Sequence, residues 1–255
     1  MIEVRNLVKK FGSFKAVNDV SFNIDSGEIF AFLGPNGAGK TTTVRMLATL
    51  LEPTSGSVRI NGFVLGKDNN KIRSSIGFAM QGITLDLTAS AWENLILIGV
   101  LYGLSRKDAL TKAKELLNLF DLEKFASSWV KNYSGGMRKR LDLAIALIHQ
   151  PPVIFLDEPT EGLDPISRRK VWNYLKELNE KGTTIFLTTH YMEEADYLAD
   201  CVGIIDKGKI VAMDSPQELK RIVGGSLEDV FVHYAGRTIR DDEINPLAPD
   251  PYINV

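Results

Sequence analysis

A glycine-rich run, GPNGAGKTT from Gly34 to Thr42, follows the apolar stretch EIFAFL and precedes a segment of helical periodicity. It fits G-x-x-x-x-G-K-[ST], a spacing that lets the backbone of Gly34, Pro35, Asn36, Gly37, Ala38 and Gly39 curl around phosphate oxygens. Lys40 can then reach the β- and γ-phosphates, and the Thr41 hydroxyl, with Thr42 beside it, can take one position on Mg2+. A second run, VIFLDEP, ends an apolar strand in two carboxylates. Asp157 suits a Mg2+ ligand, direct or through water, and Glu158 suits orienting and deprotonating an attacking water. A third stretch, NYSGGMRKRLDLAIALIHQPP, opens a helix on Ser134, Gly135 and Gly136. The unpaired N–H groups of such a helix start also favour phosphate, so one chain carries two phosphate-facing helix starts.

Several elements must hold these groups in place. The start of the chain alternates like strands, with Val20, Phe22 and Ile24 on one face, and the segment after the loop predicts a helix to about Leu50. TSGSVRING and SIGFAMQ predict strands, the second ending at Gln81. Between there and Ser134 the pattern is helical, with SAWE and SRKD resembling capping boxes at Ser90 and Ser105. VIFLD and TTIFLTT, separated by the helix PISRRKVWNYLKELNEKG, then imply a largely parallel, helix-covered sheet. CVGIID and KIVAMD predict a hairpin, and SPQELKRIVG a capped helix. The expected organisation is a core over 1–224 with a helical subdomain inserted at about 85–150. A short helix at SLEDVFVHYAG and a loose tail occupy 225–255.

Composition narrows the field. The chain has 255 residues, 44% of them hydrophobic and 24% charged, and 30 Lys and Arg against 32 Asp and Glu leave a net charge of −2. No long block of one sign is present to track a nucleic-acid backbone, and the cluster Arg138, Lys139, Arg140 reads as a solvated helix face. Cys201, the sole cysteine, reads as a small core residue. LILIGVLYGL, the longest apolar stretch, is half the ~20 residues a spanning helix needs, and MIEVRNLVKK has no apolar h-region, so the expected location is cytoplasmic.

Taken in order, the phosphate loop, Gln81, YSGGM, LDEPTEGLD and LTTHYMEEAD resemble ATP-binding-cassette proteins over most of the chain. The resemblance implies a P-loop NTPase α/β core with a mostly parallel sheet, an N-terminal antiparallel β subdomain and the inserted helical subdomain. It implies ATP and Mg2+ as cofactors. Phe11 would stack on adenine, and Gln81 would touch Mg2+ or the attacking water. His190 would hydrogen-bond the γ-phosphate and position the water, and Asp164 would lie in the loop that contacts an opposite subunit while capping the helix at Pro165. In the family two cassettes pack head to tail, so Ser134, Gly135 and Gly136 would grip the γ-phosphate of the partner's ATP. The family's common form is LSGGQ; here Tyr133 and Met137 flank the same Ser-Gly-Gly, and Met137 removes one polar contact.

YSGGMRKRLDLA and SLEDVFVHYAGR resemble the branch serving drug-resistance, lipid-linked and polysaccharide exporters. That implies a second ATP-binding subunit, in a homodimer, and separate transmembrane permease subunits that hold the chain at the inner face of the cell membrane. No nucleic-acid partner is expected. Import and a soluble ATPase acting on ribosomes or DNA are the alternatives. Because TASAWENLILIGVLYGL is apolar nearly all round, an exposed part of Leu95 to Leu104, with Leu85 and Leu87, is expected to receive a short helix of the membrane subunit.

Overall fold

The computed structural model describes residues 1–79 and 85–242. The chain opens with the hairpin β1 (Ile2–Phe11) and β2 (Phe14–Ile24), followed by β3 (Ile29–Leu33) and α1 (Lys40–Leu47). β4 (Ser55–Ile60), the two-residue β5 (Phe63–Val64), α2 (Asn69–Ser74) and β6 (Ile76–Ala79) come next. Three helices follow: α3 (Ala91–Leu101), α4 (Arg106–Leu119) and α5 (Gly135–Leu147). The chain then alternates through β7 (Val153–Asp157), α6 (Pro165–Glu180), β8 (Thr184–Thr189) and α7 (Met192–Leu198). It finishes with the hairpin β9 (Cys201–Asp206) and β10 (Lys209–Asp214), then α8 (Pro216–Val223) and α9 (Leu227–Asp242).

Among the described residues the strands form two sheets, an antiparallel one in the order β2-β1-β4-β5 and a larger one in the order β10-β9-β3-β8-β7-β6. In the larger sheet every pairing except β9 with β10 is parallel. β3 is buried on both faces, and its alternation divides the core. Ile29, Ala31 and Leu33 face a cluster shared with the helices, while Phe30 and Phe32 face a cluster shared with the antiparallel sheet and α1. Phe22, Phe30 and Phe186 stack at centroid distances of 5.2 and 5.4 Å and seal the two sheets together.

The helical insertion follows its caps. Ser90 and Glu93 make a reciprocal capping box, and Ser105 accepts from the Asp108 N–H. α3 splits its apolar residues: Leu95 is buried, whereas Leu97 and Leu101 are 57% and 70% exposed. α1 ends earlier than its sequence suggests, at Leu47, because Thr49 adopts a positive φ and closes the turn. β5 and α2 are too short to carry a periodic signal. α9 is longer than the expected short helix and runs through 237–242, with Leu227 and Val230 joining the main core. Cys201 is half-buried at the start of β9, where burial pushes its thiol up to about 11. No described helix is long and apolar enough to cross a membrane.

Candidate functional site

β3, β7 and β8 run parallel, so their C-terminal ends deliver the loop from Gly34, the pair Asp157 and Glu158, and His190 to one edge of the sheet. Tight packing shapes the loop. Gly39 has a φ of 107°, and a methyl group there would lie 2.4 Å from the Ala16 carbonyl oxygen, so only glycine lets the loop turn into α1 against β2. Lys40 is buried, with Nζ 2.6 Å from the Gly34 carbonyl, 3.3 Å from that of Pro35 and 3.5 Å from Glu158 Oε1. Burial lowers its ammonium below the ordinary lysine range, against the opposing pull of Glu158.

The acid pair is held from two sides. Register places Asp157 opposite Thr188, whose hydroxyl donates to Asp157 Oδ1 at 2.5 Å, and Thr41 Oγ1 donates to the same oxygen at 3.3 Å. Glu158 follows with a φ of 51°, a conformation a non-glycine residue keeps only when its surroundings enforce it. Its N–H donates to the Thr188 carbonyl, and its Oε2 lies 2.5 Å from His190 Nδ1. This contact engages Nδ1, which leaves Nε2 for a phosphate or a water.

The second helix start lies beside this edge. Ser134 is exposed and caps α5 by accepting from the Met137 N–H at 3.2 Å, and a methyl group on Gly136 would meet the Gly162 carbonyl at 3.8 Å. The two departures from the common sequence both point inward. Tyr133 is buried and donates to the Phe125 carbonyl at 2.8 Å, and Met137 packs against the main core. Asp164 caps α6, accepting from Ile166 and Ser167, and the Ser167 hydroxyl and N–H hold its carboxyl below the usual range. Phe11 is half-buried at the tip of the β1–β2 hairpin, with Lys9 Nζ 5.3 Å from its ring centroid. Gln81 lies outside the described residues.

The cluster at 138–140 is not the solvated face its sequence suggests. Arg138 donates to the Lys131 carbonyl, Arg140 to that of Phe120, and Lys139 Nζ to that of Asp157 at 3.1 Å. Lys139 alone reaches the sheet; Arg138 turns back to the segment before α5, and Arg140 reaches the end of α4. Lys139 is the functional neighbour that sequence reasoning missed. It joins the helix behind Ser134 to the strand end bearing Asp157, and burial lowers its ammonium despite Asp142, Asp157, Glu161 and Glu158 nearby. Helical spacing from Ser134 alone could not reveal it, because the carbonyl it meets comes from another element.

A phosphate loop and a paired acid and histidine on one sheet edge, with a capped helix start alongside, form the working face of a cassette-type ATPase. The family model described as ABC transporter matches residues 17–161. The chain is 43% identical over 236 residues to the daunorubicin resistance ATP-binding protein DrrA3 of Streptomyces coeruleorubidus, covering 92% of this chain and 75% of that protein. The solved ATP binding subunit of an ABC transporter superposes with a TM-score of 0.86 at 30% identity, covering 92% of this chain and 99% of that one. A dimeric, post-hydrolysis ATP-binding cassette bound to ADP and Pi gives 0.79 at 30% identity, covering 84% and 98%. This chain belongs to the ABC transporter family and is an ATP-hydrolysing subunit of that class. These relatives give no support to a soluble ATPase acting on ribosomes or DNA.

Proposed function

We propose that this chain is the motor of a drug-resistance-type exporter, working as a head-to-tail homodimer on separate transmembrane permease subunits at the inner face of the cell membrane. The observation that carries the hydrolytic assignment is Glu158, fixed between Lys40 and His190 at the sheet edge. Glu158 is the general base, His190 positions the water and the γ-phosphate, and Lys40 with the backbone of Gly34 to Gly39 binds the ATP phosphates. Phe11 stacks on the adenine, Thr42 supports the loop, and Gln81 reports the state of the site to the helical insertion.

Mg2+ fits the oxygens here. Thr41 Oγ1 and Asp157 Oδ1 stand 3.3 Å apart, close to the roughly 2.9 Å between neighbouring ligands of an octahedral Mg2+. Both are hard donors, and two protein oxygens would leave the remaining positions of a bound Mg2+ to waters and phosphate oxygens. Mg2+ would neutralise charge on the transferred phosphate when bound.

The exposed Ser134 cap and the dimer seen in the post-hydrolysis relative support binding of the partner's γ-phosphate by Ser134, Gly135 and Gly136, with Asp164 facing the partner. The drug-resistance name of the relative supports export. Leu97 and Leu101, one turn apart on α3, are exposed apolar residues that suit a helix of the permease, and Leu87, before α3, is exposed as well.

Mixing two damaged protomers tests the arrangement. Lys40→Ala weakens a protomer's own loop, and Ser134→Arg blocks the helix start it lends. In the mixed dimer both lesions fall at one site and the other is intact, so ATP-dependent dimerisation returns when two inactive proteins are combined. No recovery, with both proteins folded and exchange confirmed by differential tags, overturns the trans arrangement.

A further inference from the structure

Glu194 is a fully buried carboxylate that none of the steps above uses. It sits on α7, four residues past His190, and its Oε1 accepts from Thr160 Oγ1 at 2.8 Å and from Trp172 Nε1 at 2.7 Å. Its Oε2 is buried without a hydrogen-bond partner. One carboxyl thus links the turn after β7, α6 and its own helix. An apolar side chain of similar volume would fill the space at lower cost, so convergence of two donors on one oxygen marks a carboxyl kept for the geometry it fixes.

What it fixes is the turn that begins at Glu158. Glu158 holds a positive φ of 51°, and such a residue persists only where the chain is anchored on both sides. The first anchor is the Glu158 N–H on Thr188. The second lies two residues on, where the buried Thr160 is tied to Glu194. Glu194 is also on the helix that His190 leads into, so the tie spans the two halves of the Glu158–His190 contact. Without it the turn is free to relax toward ordinary backbone geometry, and a shift of about 1 Å at a reacting group costs on the order of 10²-fold in rate.

We propose that Glu194 is a positioning residue for hydrolysis, which acts through Thr160 to hold the Glu158 turn against the segment carrying His190. The proposal rests on the reading of Glu158 and His190 as the hydrolytic pair.

The test is a mutant cycle in steady-state ATPase activity of the full chain, using Thr160→Val, Glu194→Ala and the double variant. Thr160→Ser serves as the conservative rescue, and Trp172→Phe removes a donor to the same oxygen without touching the turn. Thr160→Val and Glu194→Ala each lower kcat at least about tenfold with KM for ATP held within about twofold. The double variant is no worse than the weaker single, because both changes cut one tie. Thr160→Ser restores turnover, and Trp172→Phe lowers stability while keeping kcat.

Normal kcat per folded molecule in Thr160→Val, or multiplicative losses in the double variant, overturns the proposal. Because Thr160→Val is nearly isosteric, it keeps the test decisive even where Glu194→Ala folds poorly. Glu158→Gln, measured alongside, separates the two layers. Wild-type turnover in Glu158→Gln removes the hydrolytic pair and this inference together. Lost turnover there, with normal turnover in Thr160→Val, removes this inference alone.

Discussion

His190 Nδ1 stands 2.5 Å from Glu158 Oε2, a contact between residues 32 positions apart that end neighbouring parallel strands. The contact leaves Glu158 oriented by His190 on one oxygen and facing Lys40 with the other. Replacing Glu158 by Gln keeps the size and reach of the side chain but removes the proposed base, which is expected to lower turnover by ~10²–10⁴. ATP binding survives, so Glu158→Gln accumulates as an ATP-bound dimer on size-exclusion chromatography while wild type remains mostly monomeric. Wild-type turnover in the variant would transfer the base role to another group, with His190 first in line.

Lys139 crosses from α5 to the carbonyl of Asp157, and its removal leaves that acceptor without its charged donor. Lys139→Met therefore costs about 1.5–3 kcal/mol of stability, the range for a hydrogen bond to a charged group. Lys139→Gln, which can still donate, loses less. Urea unfolding of the three proteins checks the order, and equal midpoints for Met and wild type would show that the contact contributes nothing.

Leu97 and Leu101 carry the exposed apolar face of α3. Changing each to Glu leaves the isolated fold within about 0.5 kcal/mol of wild type, since neither side chain supports the core. Recruitment to membranes containing the permease is lost. Co-sedimentation reads the second effect and thermal unfolding the first, and normal recruitment of well-folded variants would remove α3 from the docking surface.

Burial raises the Glu194 carboxyl above the ordinary glutamate value of 4.5, against hydrogen bonds from Thr160 and Trp172 and the charge of Arg168. An acid with a raised folded pKa binds more protons folded than unfolded, so its contribution is fully present below 4.5 and declines as pH rises toward the folded value. Glu194→Gln does not titrate. Stability of Glu194→Gln relative to wild type should therefore increase as pH rises from 4.5 into the neutral range. A difference that is constant across denaturant titrations over this range would show that Glu194 titrates alike in both states.

Local order carried much of this protein's function into view. GPNGAGKTT and VIFLDEP declare their chemistry because the phosphate loop and the strand-end acids are contiguous in the chain, and Ser90, Ser105, Ser134 and Asp164 act as caps because a cap needs only its own next turn. The alternation of strands and helices likewise implied the parallel sheet. Tertiary structure alone decided what lies across elements. The run at Leu95 to Leu104 could be core or surface until α3 packed Leu95 inward and left Leu97 and Leu101 outside. Arg138, Lys139 and Arg140 looked solvated because charge in sequence says nothing of the carbonyls that a neighbouring turn, a strand end and a helix end bring within reach. Glu194 in turn looked like one more acid in HYMEEAD, since the donors that make it a buried hub come from residues 160 and 172, which only the packing of α6 and α7 on the sheet brings to it.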